Sequence, residues 1–228
     1  MSIAGGPKVV RDSSLLLWLD AANNKSFTST GTIWKDLTSN GYYGTFVSGP
    51  IYNSSNYGYI SLTGGNCYVN TNIINPNISG AAVTYETVFK NNATGNYFGF
   101  IGASQYLTYG YSIGFFGQSR MAITYDASPA SSFEPVFNYS STGFSHGVFI
   151  FSGRSFTVYR NGVKIYTDTS MTFDAQSGTN TLTIGKNQQG GWGNSIVDLA
   201  FLRVYNRPLS QQEVIQNFNA TKSRFFLQ

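Results

Sequence analysis

The chain has 228 residues, only 11% of which are charged, and it contains 25 glycines, 16 tyrosines and 18 phenylalanines. This composition is typical of one turn-rich β domain, because aromatic side chains favour pleated, half-buried positions and glycine supplies turns. The formal net charge of +4 is spread along the chain without a run of Lys or Arg, which argues against a nucleic-acid-binding surface. No apolar segment is long enough to cross a bilayer, and a single cysteine excludes an intrachain disulfide.

The first predicted element is an extended arm at residues 1–12, which precedes a single domain over residues 13–228. Gly5, Gly6 and Pro7 do not favour regular structure. Such an arm either docks on a neighbouring molecule or remains a loose tail, and the sequence leaves both alternatives open. These residues also lack the basic and apolar regions of a secretory signal, so we expect a product made and kept inside the cell until release.

From Leu15 onward, short β-like runs alternate with turn residues, a spacing that predicts a two-sheet sandwich. Asn161 and Gly162 predict a hairpin, because this dipeptide accepts the positive φ angles of a two-residue turn. Glu86 lies in the middle of one run and would be costly to bury without a partner. The runs span residues 15–20, 58–62, 67–70, 83–90, 98–103, 111–116, 120–125, 147–152, 155–160, 163–167, 181–185 and 196–204.

The end of the chain joins a strand to a capped helix. Residues 196–204 are apolar on both sides of a two-residue alternation, which is typical of a strand covered on both faces. Ser210 and Glu213 have the Ser-x-x-Glu spacing of a capping box. The sequence therefore predicts a helix over residues 210–219, with an apolar stripe of Val214, Ile215 and Phe218.

Segments at both ends and in the middle of the chain resemble one family. Residues 16–23, 32–37, 61–69, 158–163, 182–185 and 205–210 are similar, in this order, to segments of laminin-G-like, concanavalin A-like lectin-glucanase domains in structural proteins of tailed bacteriophages. The resemblance spans roughly Leu15 to Phe225. It implies an all-β fold, a two-sheet antiparallel jelly-roll sandwich of the concanavalin A type with one short C-terminal helix.

The sequence offers no obvious catalytic group. A sugar hydrolase needs two carboxylates about 5–10 Å apart, which neighbouring inward positions of a strand usually supply, and no two acidic residues here stand two or four apart. The only histidine, His146, and the only cysteine, Cys67, lie in apolar β-like runs, where structural roles are expected. We therefore predict a protein that is not an enzyme. Distant acids that converge in space would still make a glycan-degrading enzyme.

Calcium is the cofactor that the resemblance implies, because carboxylates on rim loops supply its oxygen ligands. Where relatives have an acidic Asp-Gly-x-Asp-Asp-Tyr run, residues 63–68 lack both acidic positions. Asn66 would remain as one ligand, with Asp198 or Asp126 as the acidic residue near it. The sequence therefore predicts no tight metal site.

Two loops contain the kinds of side chain that recognise sugars, which are an aromatic ring beside amides and hydroxyls. The first loop contains Trp192 between glycines, with Asn187, Gln188 and Asn194 close by, and the second contains Tyr109. Alternatively, Trp192 packs back on the sandwich edge and the tyrosines near Tyr109 form an intersubunit contact. We expect the other two tryptophans, Trp18 and Trp34, to lie in the core.

These observations favour a non-enzymatic virion structural protein of a tailed bacteriophage, a capsid decoration or fibre component with a lectin-like, glycan-binding surface. The alternatives are a tail receptor-binding module that recognises host polysaccharide and a glycan-degrading enzyme. Expected partners are other virion proteins, host surface polysaccharide and further copies of the chain, and neither nucleic acid nor membrane. The expected location is the virion, after synthesis in the host cytoplasm.

Overall fold

The computed structural model describes residues 7–55, 58–74, 82–92, 98–102, 110–117, 119–127, 130–139, 143–170, 181–186 and 193–227. Within these ranges the chain forms seventeen strands and one helix. The strands are β1 (Leu15–Asp20), β2 (Ile33–Lys35), β3 (Tyr43–Val47), β4 (Ile51–Asn53), β5 (Tyr59–Thr63), β6 (Tyr68–Ile74), β7 (Ala82–Asn91), β8 (Phe98–Gly102), β9 (Gly110–Phe116), β10 (Arg120–Ala127), β11 (Ala130–Asn138), β12 (Ser145–Ser152), β13 (Ser155–Arg160), β14 (Val163–Asp168), β15 (Thr181–Ile184), β16 (Gly193–Asn194) and β17 (Ile196–Tyr205). The helix is α1 (Gln211–Phe225).

The strands form two sheets that pack face to face. Sheet A has the order β14-β13-β12-β7-β17-β5-β4, with β1 also paired to β17. Sheet B has the order β11-β10-β9-β8-β15-β6-β3-β2, with the short β16 paired parallel to β8. The other strand pairs are antiparallel, which confirms the predicted sandwich.

Strand β17 is covered on both faces, as its sequence predicted. Val197 and Leu199 face the core between the sheets, and a register shift follows before Phe201. Beyond the shift, Phe201 and Tyr205 pack on the opposite side, against the helix layer. The strand therefore joins the inter-sheet core to a second apolar layer beneath α1.

The inter-sheet core is rich in aromatic rings. The Phe100 ring packs at a tilt against two others, with its centroid 4.7 Å from that of Phe89 and 4.8 Å from that of Phe115. Trp34 and Cys67 are buried in this core, as expected. The expectation for Trp18 was wrong, because Trp18 lies on the outer face of sheet A against the helix layer.

The helix is longer than predicted. The predicted capping box is present, since the Ser210 hydroxyl accepts from the Glu213 amide and the Glu213 carboxylate accepts from the Ser210 amide. The helix continues to Phe225 rather than ending at residue 219. The buried stripe explains the difference, because it passes through two polar residues that an apolar pattern does not reveal; its members are Val214, Asn217, Thr221 and Phe225. Ile215, which was predicted to lie in the stripe, is 38% exposed.

The hairpin between β13 and β14 has the predicted turn. Asn161 and Gly162 have φ angles of 49° and 77°, which are the positive values that this two-residue turn requires. In the described part of the chain, no helix combines the length and the hydropathy needed to span a membrane.

Candidate functional site

The outer face of sheet A is covered by α1 and by the arm. The Val10 amide donates to Asn217 Oδ1 at 2.6 Å, and the Gln216 side chain donates to the Lys8 carbonyl at 2.7 Å. The Tyr205 hydroxyl oxygen lies 3.1 Å from the Val10 carbonyl oxygen. The described end of the arm is therefore docked on the helix of its own chain, an arrangement that sequence analysis did not consider.

Beneath α1, one carboxylate organises a buried polar cluster. Glu86 Oε1 accepts from His146 Nε2 at 2.8 Å and from Arg203 Nη1 at 2.9 Å. Its Oε2 accepts from Asn217 Nδ2 at 2.8 Å and from the Tyr205 hydroxyl at 3.2 Å. These five residues are at most 3% exposed. We call them the Glu86 cluster.

The charges of the Glu86 cluster determine its protonation. Burial raises the pKa of the Glu86 carboxyl, but the Arg203 charge and the hydrogen bond from His146 outweigh burial and lower the pKa below its usual range. Burial and the Glu86 charge together raise the pKa of Tyr205, so its hydroxyl stays protonated. Because the cluster is ionised, fully hydrogen-bonded around Glu86 and inaccessible to a substrate, we assign it a structural role.

The other described carboxylates are also engaged in local structure. The Asp20 carboxylate is held by both terminal nitrogens of Arg224, at 2.7 and 2.8 Å. The Asp36 carboxylate accepts from the Trp18 amide at 2.8 Å. Four further carboxylates accept hydrogen bonds in turns, between strands, in the helix cap or in ion pairs; these are Asp12, Asp168, Asp198 and Glu213. The side chains of Asp126 and Glu134 are outside those that the structure describes.

The outer face of sheet B has a different character. Along β6, the side chains at 69, 71 and 73 are buried, whereas Asn70 and Asn72 alternate with them and are exposed. The neighbouring β3 places Tyr43 and Thr45 on the same side, and β15 places Thr181 there. We call the surface of these five residues the open face.

The open face presents amides, hydroxyls and an aromatic ring. Thr181 Oγ1 donates to Asn70 Oδ1 at 3.0 Å, and the Tyr43 amide donates to Asn72 Oδ1 at 2.8 Å. Both bonds use the amide oxygens, so the two amide nitrogens are left to donate to a ligand. Tyr43 is 40% exposed beside them. A ring for stacking and flanking hydrogen-bonding groups are what weak sugar recognition requires.

Of the predicted glycan-binding residues, only Asn194 lies in a described strand, β16. Asn194 Nδ2 donates to the Gly65 carbonyl, which ties β16 to the β5–β6 turn. Lys186, at the end of β15, lies 4.4 Å from the centroid of the Tyr68 ring. Asn194 is therefore used in local structure. The other predicted glycan-binding residues, Asn187, Gln188, Trp192 and Tyr109, lie outside the described residues.

Of the residues considered for calcium, Asn66 and Asp198 do not form a ligand set, and the side chain of Asp126 is outside those that the structure describes. Asp198 Oδ1 accepts from the Ser61 hydroxyl at 2.6 Å, and its Oδ2 accepts from Asn92 Nδ2 at 2.9 Å. Asn66 is exposed in the β5–β6 turn. Over the described ranges, no group of three or more His, Cys, Asp or Glu residues converges to hold a metal ion. The residues present do not fit the calcium site that the resemblance implied.

Sequence analysis missed the open face, although a signal for it was present. The alternation of Asn70 and Asn72 with Val69, Thr71 and Ile73 is a two-residue period in which amides share one face. The pairing of β6 with β3 and β15 could not be predicted from that period. It is this pairing that brings Thr45 directly opposite Asn70.

Comparisons with known proteins agree with this architecture. A family model described as the concanavalin A-like lectin/glucanases superfamily matches residues 63–215. No curated protein matches the sequence.

Three solved structures illustrate the similarity. The binding domain of botulinum neurotoxin serotype G has a TM-score of 0.70 at 14% identity over 92% of this chain and 51% of that one. A structure of botulinum neurotoxin type C, whose cell entry depends on interaction with two ganglioside molecules, has a TM-score of 0.68 at 13% identity over 91% and 51%. A mutant of Trypanosoma rangeli sialidase displaying trans-sialidase activity has a TM-score of 0.68 at 14% identity over 96% and 34%. The chain thus spans about half or less of these proteins, and at such identities the likeness shows the fold alone.

Proposed function

The chain belongs to the concanavalin A-like lectin/glucanase superfamily, and from this premise we propose that it is a non-enzymatic, lectin-like domain that binds glycans. The observation that carries the proposal is the open face, where Tyr43 lies beside the amides of Asn70 and Asn72. These groups are exposed, neutral and already aligned by the sheet. A sugar can therefore bind them with little ordering of side chains.

Two further observations support a binding role over a catalytic one. The carboxylates whose side chains the structure describes already accept hydrogen bonds or form ion pairs within the chain. Among the structural neighbours, one neurotoxin enters cells through gangliosides, which are glycolipids. A sialidase is also a neighbour, so the alternative function is glycan hydrolysis.

Glycan binding is tested by comparing two aromatic substitutions on opposite sides of the sandwich. We expect the full chain to bind immobilised polysaccharides, and Tyr43→Ala to weaken that binding by about fivefold, since a stacked ring contributes about 1 kcal/mol. The matched control is Phe226→Ala, because Phe226 is 75% exposed at the end of α1, away from the open face. Equal loss in both variants, or no loss in Tyr43→Ala, would contradict the proposal.

We also propose a location, namely the virion of a tailed bacteriophage, as capsid decoration or a fibre component made in the host cytoplasm. Its support is the ordered set of sequence motifs, from residues 16–23 to residues 205–210. Quantitative mass spectrometry of purified particles tests it, because a decoration protein is present in many copies and a receptor-binding module in few. Absence of the chain from particles would refute this location.

A receptor-binding module and an enzyme each have a distinct test. If the protein recognises host polysaccharide at a tail, Trp192→Ala should reduce host adsorption. If it hydrolyses glycan, incubation with host polysaccharide should release reducing ends, and one acidic substitution should abolish that release.

A further inference from the structure

A lysine lies at each end of the open face. At one end, Lys35 of β2 is directly opposite Tyr43 of β3 in the antiparallel pair, so these two exposed side chains share one side of sheet B. At the other end, the ammonium nitrogen of Lys186 lies 4.4 Å from the centroid of the Tyr68 ring. Tyr68 alternates with the buried Val69 along β6, which places its ring on the side of the open face. Two cations therefore flank the neutral groups of the open face.

Neither lysine has an acidic partner among the described residues. The four strands that form this surface, β2, β3, β6 and β15, contain no Asp or Glu. The ion pairs of the described residues involve neither Lys35 nor Lys186. On the covered side of the sandwich, by contrast, Arg203, Arg207 and Arg224 each pair with a carboxylate. The open face therefore has positive charge that the described residues do not neutralise.

The Tyr68 ring gives the Lys186 ammonium group a fixed position. A cation this close to the face of an aromatic ring is attracted by the electrons of that face, which restricts an otherwise mobile side chain. The ring contacts only one side of the ammonium group, so its N–H groups can still donate to an oxyanion on the other side. An acidic ligand therefore meets a cation that is already ordered.

The two lysines are too far apart for one sugar ring to reach both. Three strand spacings separate them in the order β2-β3-β6-β15, and β6 adds the four residues from Asn72, beside Tyr43, to Tyr68, beside Lys186. At about 4.8 Å per spacing and about 3.4 Å per residue, the strand positions of the lysines are about 20 Å apart. A ligand that contacts both lysines and the amides between them is therefore a chain of several sugar rings.

We propose that the open face binds a linear acidic polysaccharide, one with carboxylate groups along its chain. This binding mode rests on the glycan-binding function proposed above and adds the charge and the length of the glycan. One sugar ring stacks on Tyr43, and the amide nitrogens of Asn70 and Asn72 donate to sugar hydroxyls. The ammonium groups of Lys35 and Lys186 each bind a carboxylate. A neutral chain makes the first two kinds of contact but not the third.

Calorimetric titration of the full chain with matched acidic and neutral oligosaccharides tests the proposal. One pair is hexagalacturonate and its methyl ester, and the other is β-1,4-linked hexaglucuronate and cellohexaose, so each pair keeps one backbone. At low salt we expect the acidic member of at least one pair to bind about tenfold more tightly than its neutral counterpart, the effect of two exposed ion pairs. If neither pair showed this preference, the acidic class would be refuted. Equal binding of acidic and neutral members would then leave glycan binding intact, whereas no binding of any member would contradict both proposals.

Substitutions of the two lysines locate the bound carboxylates. Lys35→Ala and Lys186→Ala should each weaken binding of the preferred acidic oligosaccharide by about threefold, and together by about tenfold, because distant sites act independently. Lys164→Ala removes an exposed lysine of β14, which lies in sheet A, and makes the same change in net charge. This control should bind like the wild type. Equal weakening by Lys164→Ala and the other two variants would mean non-specific attraction and would overturn the assignment.

Discussion

The two outer faces of the sandwich use polar side chains in opposite ways. On sheet A, the Glu86 cluster is buried under α1, and each oxygen of its carboxylate accepts two hydrogen bonds. On sheet B, Asn70 and Asn72 stand exposed with their amide nitrogens unused. Buried polar groups are costly when unpaired, whereas exposed ones exchange partners freely with water. The polar side chains of the Glu86 cluster therefore stabilise sheet A, whereas those of the open face on sheet B remain free to bind a ligand.

The largest expected loss of stability comes from removing the Glu86 carboxylate, which is the hydrogen-bond acceptor beneath α1 on sheet A. Glu86→Ala leaves the Arg203 and His146 side chains buried without a partner, so we expect the free energy of unfolding to fall by about 3–5 kcal/mol. Urea denaturation measures this loss. Asp168→Ala removes a half-buried carboxylate from the end of β14 and should cost less than about 1 kcal/mol. Similar losses in the two variants would contradict the structural role of the cluster.

A smaller effect is expected where the cluster meets the arm. Asn217→Ala removes both the donor to Glu86 and the acceptor of the Val10 amide, so we expect a loss of about 2 kcal/mol. Hydrogen exchange at the Val10 amide should also become faster. Asn219→Ala, the same change on the less buried side of α1, controls for helix propensity. Unchanged exchange at Val10 would show that Asn217 does not hold the arm.

Low pH should weaken the ion pair between Arg207 and Glu213, which lies in the first turn of α1. The hydrogen bond from Arg207 lowers the pKa of Glu213 to about 2, from a usual 4.5. A lowered folded-state pKa means that this stabilisation is present above pH 4.5 and is lost as the pH falls toward 2. Glu213→Gln should therefore lower the Tm by about 2–4 °C at neutral pH, because the cap and ion pair contribute about 1 kcal/mol.

The pH dependence itself checks this assignment. The Tm difference between the wild type and Glu213→Gln should shrink from pH 4.5 to pH 2, where the carboxyl of the wild type becomes protonated. The Asp12 carboxyl, whose pKa is also lowered to about 2 by bonds from Ser14 and Arg207, is present in both proteins and largely cancels. A difference that is independent of pH would mean that the Glu213 charge contributes nothing.

The smallest effect on stability is expected on the open face. Asn72→Ala makes the same chemical change as Asn217→Ala, but at an exposed site where water replaces the lost acceptor of the Tyr43 amide. We expect the free energy of unfolding to change by at most about 0.5 kcal/mol, while glycan binding weakens. If Asn72→Ala destabilised the protein as much as Asn217→Ala, the contrast between the faces would fail.

Features that depend on neighbouring residues were predictable. The capping box needs only Ser210 and Glu213 at a spacing of three, and the hairpin needs only Asn161 and Gly162. The two-face burial of β17 followed from its apolar pattern. In each case the partners lie within a few residues, so propensity and periodicity contain the information.

Features that depend on distant partners were not predictable. Asn217 binds Glu86 across 131 positions and Val10 across 207, and nothing local marks these residues as partners. For the same reason, the apolar pattern ended α1 too early and assigned Trp18 to the wrong layer. The open face was missed because it arises from the pairing of β3, β6 and β15.

The sequence by itself determined local features of this protein: twelve of the seventeen described strands, the hairpin turn, the helix cap and the two-sheet class to which they belong. Only the tertiary structure decided which polar residues became buried supports and which remained free to bind. The physical reason is that burial is a property of the assembled layers. The docking of α1 and the arm encloses Glu86 on one face, while no described element covers Asn70 and Asn72 on the other.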